Sequence, residues 1–173
     1  MGKLNLWSVE KLNAVFSEFF ADLGYPEITA QLDTEFSYWY AEDIITYTLF
    51  EMPLTDIGFM TYIKDTYKDI PQCSIMVLSL LHELGHHITI ESLSKKKMLK
   101  SKKDKKRLAK KSAYSDKDII SRQITYCKIY DEMLATKKAI EILRDNYDYI
   151  LSFESVWYEA VREFYVKNNV ICP

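Results

Sequence analysis

At 173 residues the chain is long enough for one domain with its own hydrophobic core. Hydrophobic residues make up 48%, which excludes a disordered protein, and only four Gly and four Pro weigh against a turn-rich all-β fold. The net charge of −2 excludes a chain that is cationic throughout. Cys73, Cys127 and Cys172 are odd in number and form no CxxC pair, which argues against a disulfide framework and for a reducing compartment.

The N-terminus MGKLNLWSVE lacks the apolar core of a signal peptide. Gly2 is followed by Leu6 where a myristoylation motif needs Ser or Thr. The longest apolar run, Ile75 to Leu81, is too short to span a bilayer. These features predict a cytoplasmic protein with no membrane association.

Taken in order, Ser8 is placed to cap a first helix running to about Leu23, with Glu10 in its first turn. Val9, Leu12, Val15, Phe16, Phe19, Phe20 and Leu23 mark its buried face; Gly24 ends it and Pro26 prevents its return. From Ile28 the period changes to two. Ile28, Ala30 and Leu32 alternate with polar residues, Phe36, Tyr38 and Tyr40 do so again, and Ile44 to Leu49 is β-branched and aromatic. Ala41-Glu42-Asp43 reads as a hairpin turn. The expectation is a small, mainly antiparallel sheet of three or four strands, the last over Gly58 to Ile63.

Pro71 then opens a helix that ends before Ser92. It carries His82-Glu83-Leu84-Gly85-His86-His87, which holds all three histidines of the chain. His82 and His86 are four apart, so on a helix their rings stack on one face; Val77, Leu81, Leu84 and Ile88 form an apolar stripe on the other side. Two imidazoles one turn apart supply two nitrogens for Zn²⁺, and Glu83 beside them is a general base for a water held between the rings. Gly85 costs about 1 kcal/mol against alanine inside a helix. Close approach of another backbone or of a substrate accounts for it.

Lys95 to Lys111 holds eleven Lys or Arg and one acid, Asp104, a net charge of +10 that leaves −12 for the remainder. It reads as a solvated loop or extended helix within a lysine-rich insert at 93–114. The alternative is an arm for nucleic acid or another polyanion, although it has no aromatic residue for base stacking. Ser115 with Asp118 starts the next helix, which runs to about Asn146, with room for a break. Ser152 is placed to cap a last helix carrying Phe153, Val156, Trp157, Ala160, Val161 and Phe164.

A catalytic zinc site takes three protein ligands plus water. With no third histidine to spare downstream, the third ligand is a carboxylate or a cysteine. Glu132 shares a helical stripe with Ile129, Ala135, Ala139 and Leu143, where a carboxylate is costly unless paired or bound to metal. Ala135 and Ala139 would let that helix approach the motif helix closely. Asp131 and then Glu91 are the alternatives. His87 lies one position round from the ligand face, and Tyr147, Tyr149 and Tyr158 are eligible donors to an oxyanion.

The stretches HELGHH and Glu132-Met-Leu-Ala135-Thr-Lys-Lys-Ala139 resemble the two zinc-binding helices of small gluzincins, most closely the minimal ImmA/IrrE-like and phage-type peptidases with H-E-x-G-H followed by E-x-x-A-x-x-x-A. The order of helix, small sheet, H-E-x-x-H helix and ligand helix is also similar. The resemblance implies His82, His86 and Glu132 as metal ligands, Glu83 as base, and a zincin-like fold. The expected architecture is a single α+β domain over 1–173, a small mainly antiparallel sheet packed on the H-E-x-x-H helix and followed by a helical C-terminal half. The expected activity is zinc-dependent hydrolysis of peptide bonds in a peptide or protein substrate, by a metal-activated water with Glu83 as base. A non-catalytic metal-binding module with a basic polyanion-binding arm is the rival.

Overall fold

The computed structural model describes residues 6–49 and 52–168. Cys172 and Gly2 lie outside them. Among the described residues the fold is α+β, with seven helices and one three-stranded mixed sheet. The chain falls into two compact units, Met1–Leu49 with Asn146–Pro173, and Phe50–Asp145.

The first unit contains α1 (Leu6–Asp22), β1 (Thr29–Leu32), β2 (Ser37–Trp39), β3 (Ile44–Tyr47) and α7 (Tyr147–Lys167). Leu12, Phe16, Phe19 and Phe20 of α1 are fully buried, as the helical spacing requires. The aromatic rings interlock: Phe16 meets Tyr47 with centroids 4.3 Å apart, and Phe19 stacks on Phe153 at 4.2 Å. The helix begins at Leu6, so Ser8 is an interior residue and not a cap; its hydroxyl accepts from Asn168 Nδ2 at 2.8 Å. Gly24, at φ +97°, ends the turn as expected.

The sheet order is β1-β3-β2. β2 and β3 form the expected antiparallel hairpin, closed by Glu42 N–H donating to Trp39 O at 3.2 Å with Asp43 at φ +53°. β1, however, pairs with β3 in parallel, Ala30 opposite Ile45, so the sheet is mixed. Period-two alternation identifies strands without fixing their direction, and β2 itself supplies the return crossing that a parallel pair needs. On the far side of β1, Ala30 N–H donates to Ser17 Oγ and Leu32 N–H to Asn13 Oδ1, both at 2.9 Å. Asn13 Oδ1 also accepts from Tyr47 OH at 2.8 Å. α1 therefore closes that sheet edge with side chains.

In α7 the buried series Ile150, Phe153, Trp157, Val161 and Phe164 starts before Ser152, and the helix starts with it. Ser152 is interior and donates to Tyr149 O at 2.7 Å. Val156, expected in the core, is 53% exposed, because it lies off that stripe.

The second unit holds α2 (Pro53–Thr66), α3 (Ile75–Ile90), α4 (Lys95–Ala109), α5 (Asp116–Cys127) and α6 (Tyr130–Asp145). The expected strand over Gly58 to Ile63 is instead part of α2. Pro53 opens that helix, and Gly58, Phe59, Tyr62 and Ile63 are buried at helical spacing. A side chain on Gly58 would collide with Gln123 Cβ at 2.6 Å, which shows how closely α2 and α5 pack. α3 begins at Ile75 with Ser74 as its cap, the Ser74 hydroxyl accepting from Val77 N–H at 3.3 Å; Pro71 lies ahead of it. The lysine-rich insert is a regular helix, α4, capped by Ser94. Ser115 and Asp118 form the expected reciprocal cap of α5: Asp118 N–H donates to Ser115 Oγ at 3.2 Å, and Ser115 Oγ to Asp118 Oδ2 at 2.8 Å. The break before α6 falls at Lys128 and Ile129. No helix among the described residues is long and apolar enough to cross a membrane.

Candidate metal centre

The centre is built by two helices of the second unit, α3 and α6. In α3, Val77, Leu78, Leu80, Leu81 and Leu84 are buried, and the same helix carries His82 and His86 one turn apart. Their rings stand nearly perpendicular, at 86°, with centroids 4.8 Å apart. His82 meets Phe59 in a T-shaped contact, centroids 5.4 Å apart.

Gly85 sets how near α6 can come. A Cβ at Gly85 would lie 3.0 Å from Ala135 Cα and 2.9 Å from Ala135 C, and nearer still to the Ala135 carbonyl oxygen. This is the close backbone approach that a glycine inside an apolar helix predicts, and Ala135 and Ala139, both fully buried, are the small residues that permit it. One turn before Ala135, Glu132 then projects at the two histidines. Its Oε2 is 3.0 Å from His82 Nε2 and its Oε1 is 3.4 Å from His86 Nε2. One ligand atom from each of the three residues lies within 4.8 Å of the others, so the group could hold a metal ion. Glu132 is 2% exposed and His82 8%, while His86 is half-buried.

Thr136 orients His82. Its hydroxyl donates to Glu132 O at 2.8 Å and stands 3.1 Å from His82 Nδ1. With its proton committed to the carbonyl, the hydroxyl accepts from Nδ1–H. The lone pair of Nε2 then faces the Glu132 carboxylate, and two acceptors 3.0 Å apart need a proton or a metal ion between them. A His₂Glu donor set is of the kind that holds a divalent metal ion such as zinc.

The electrostatics agree with an anionic Glu132. Burial works to raise its pKa, but hydrogen bonds to His82 and His86, and their charge, hold it well below the usual carboxylate range. Burial and the Glu132 charge push the Cys127 thiol up to about 12, so Cys127 stays a thiol and lies outside the ligand group. Burial also raises the Tyr126 phenol strongly, followed by the charge of Glu132, a hydrogen bond to it, and the charge of Glu83. Tyr126 is thus a protonated phenol beside the ligand carboxylate. Lys105 of α4 reaches in, its ammonium 2.7 Å from Asp131 Oδ2 and in contact with Glu132 Oε1.

Of the residues singled out in the sequence, His82, His86 and Glu132 come together. Glu83, 9% exposed, is next to them on α3 without being one of the three. Asp131 is turned to Lys105, and Glu91 and His87 are not part of the group. Tyr147, Tyr149 and Tyr158, eligible as oxyanion donors, belong to α7 in the first unit. Tyr149 donates to Asp22 at 2.9 Å and Tyr158 is 58% exposed. The tyrosine at Glu132 is Tyr126, which helical periodicity misses because the chain breaks between α5 and α6. Lys105 is hidden among ten other cations; its only signal is the non-basic residues Ser101 and Leu108 on the same helical face.

No protein-family model, curated protein or solved structure matches the chain. The functional reading rests on the geometry of the centre.

Proposed function

We propose that the protein is a zinc-dependent metallopeptidase of the gluzincin type, in which His82, His86 and Glu132 hold Zn²⁺ and Glu83 is the general base. The observation that carries this reading is the convergence of the two imidazole Nε2 atoms and a buried carboxylate, with a second carboxylate, Glu83, adjoining them on α3. A zincin-like fold belongs to the same proposal and is supported by the order of small sheet, motif helix and ligand helix.

Zn²⁺ in such a site polarises the scissile carbonyl and lowers the pKa of water toward about 7. The chain supplies the rest. A Glu83 carboxylate oxygen takes the proton of the attacking water and returns it to the leaving amine. Thr136 keeps His82 in the tautomer that leaves Nε2 bare. Tyr126, held protonated, donates to the Glu132 carboxylate and steadies it as a ligand. The substrate is a peptide or protein, and the expected setting is cytoplasmic, in keeping with three cysteines that form no CxxC pair.

Glu83→Gln tests the assignment. It keeps the size of the side chain but cannot accept a proton. It should retain about one Zn²⁺ per chain and lose cleavage of a mixed peptide library by about 10²–10⁴-fold. Glu132→Gln should lose zinc affinity as well as cleavage. Equal cleavage by wild type and Glu83→Gln would remove Glu83 from the chemistry.

The second reading, a metal-binding module with a polyanion-binding arm, is favoured by one observation: α4 presents Lys95, Lys96, Lys100, Lys102, Lys103 and Lys106 to solvent. Zinc retained with no cleavage by the wild type would point to it.

A further inference from the structure

We infer that Lys105 is a resident counter-ion of the ligand group, which steadies Glu132 when no metal is bound and lowers the affinity of the group for a dication. The inference rests on the metal-site reading above.

α4 is basic along its whole length, yet one face of it is turned inward. Ser101 and Leu108 are buried, and Lys105 lies between them at helical spacing. Lys97 anchors the same helix, its ammonium 2.6 Å from Tyr130 OH and 4.2 Å above that ring. Lys105 Nζ bridges Asp131 Oδ2, at 2.7 Å, and Glu132 Oε1, and stands 5.5 Å from the centroid of the Tyr126 ring. Asp131 and Glu132 are adjacent in sequence and both are largely withdrawn from water, so each raises the cost of the other's charge. The histidines are cations only when protonated. Lys105 is the permanent cation in contact with both carboxylates.

The consequence follows from which state needs that charge. Without metal, removing the ammonium leaves two neighbouring carboxylates without their shared cation in a poorly solvated site. With a dication on His82, His86 and Glu132, removing it leaves two carboxylates balanced by the dication. A metal and Lys105 share one anion, Glu132, and repel each other across it. Lys105 therefore favours the metal-free protein more than the metal-bound one, and by linkage it weakens metal binding. The site keeps its shape while empty and gives up its metal more readily.

The test is Lys105→Met, which keeps an unbranched side chain without the charge. Lys105→Arg retains the charge, and Lys103→Met removes an exposed charge from the same helix. Thermal unfolding is followed with a chelator and with Zn²⁺, and Zn²⁺ affinity is measured by competition with a chromophoric chelator. Lys105→Met should lose stability mainly in chelator and bind Zn²⁺ about tenfold more tightly, the low end of what changes around metal ligands produce. Lys105→Arg and Lys103→Met should stay near wild type. A Lys105→Met protein that folds only with Zn²⁺ would support the inference strongly. Equal loss of stability in both conditions, weaker Zn²⁺ binding, folding in neither condition, or the same behaviour from Lys105→Arg would overturn it. Failure of the wild type to take up Zn²⁺ would remove the metal site itself, and that result is read before any Lys105 variant is made.

Discussion

Gly85→Ala sets two effects of opposite sign against each other. On propensity alone, alanine in the middle of a helix should stabilise the protein by about 1 kcal/mol. The added methyl group, however, would lie 2.9 Å from Ala135 C and 3.0 Å from Ala135 Cα. These are backbone atoms of α6, and no rotamer change moves them. α3 and α6 must separate, in the most extensively packed helix pair of the second unit. Overpacking of a fitted core costs typically about 1–3 kcal/mol, and a clash with backbone belongs at the upper end. The net expectation is destabilisation by about 1–2 kcal/mol, the difference between those terms.

The same separation carries Glu132 away from His82 and His86, since Glu132 lies one turn from Ala135. Constellations of this kind tolerate displacements of only about 0.5 Å. Zn²⁺ affinity should therefore fall together with stability. Urea unfolding with and without Zn²⁺, together with chelator competition, measures both. A Gly85→Ala protein that is more stable than wild type, with Zn²⁺ affinity unchanged, would refute the claim that this glycine exists to let the backbones meet.

If the outward face of α4 takes nucleic acid, binding should weaken steeply with salt. Each phosphate contact contributes a slope of about −0.9 on a log–log plot for duplex DNA, and neutralising Lys100, Lys102, Lys103 and Lys106 to Gln should flatten that plot. No binding at low salt would leave α4 as a solvated helix with an inward lysine. Cys127, with its thiol at about 12, should resist iodoacetamide in the native protein at pH 9, because the thiolate is the reactive form and remains scarce there. Peptide mapping reads the site directly, and prompt native-state alkylation of Cys127 would contradict the burial that raises its pKa.

What the sequence made legible is what depends on local spacing. The i, i+4 spacing of His82 and His86 fixes a shared helical face, and the stripe Glu132, Ala135, Ala139 carries both the ligand and the means of approach. Ser115 with Asp118 is a cap written in four residues. What stayed hidden depends on partners distant in the chain. The direction of β1 follows from pairing with β3 rather than β2, which alternation does not encode. The stretch from Gly58 to Ile63 suits a strand and a helix equally over six residues; Pro53 and the surface of α5 decide for the helix. Lys105 and Tyr126 reach Glu132 only because α4 and α5 fold back against α6, and within the lysine-rich run Ser101 and Leu108 are the one local mark of the inward lysine.

Each component of the centre is unfavourable on its own. Gly85 weakens the helix that carries it, and Glu132 is an ionised carboxylate nearly removed from water. Thr136 spends its hydroxyl on a helix carbonyl and fixes a histidine tautomer. An apolar α3–α6 contact of the same size would dispense with all three. The costs become intelligible together: the glycine admits α6, α6 presents the carboxylate, and the threonine aims the bare nitrogen of His82 at it. Local rules are broken in concert at sites under a functional requirement. The proposed metal ion, held between two imidazoles and a carboxylate, would supply such a requirement. Lys105, touching that carboxylate from its outer side, completes the logic, because a group of buried anions needs a positive charge in whichever state it is found.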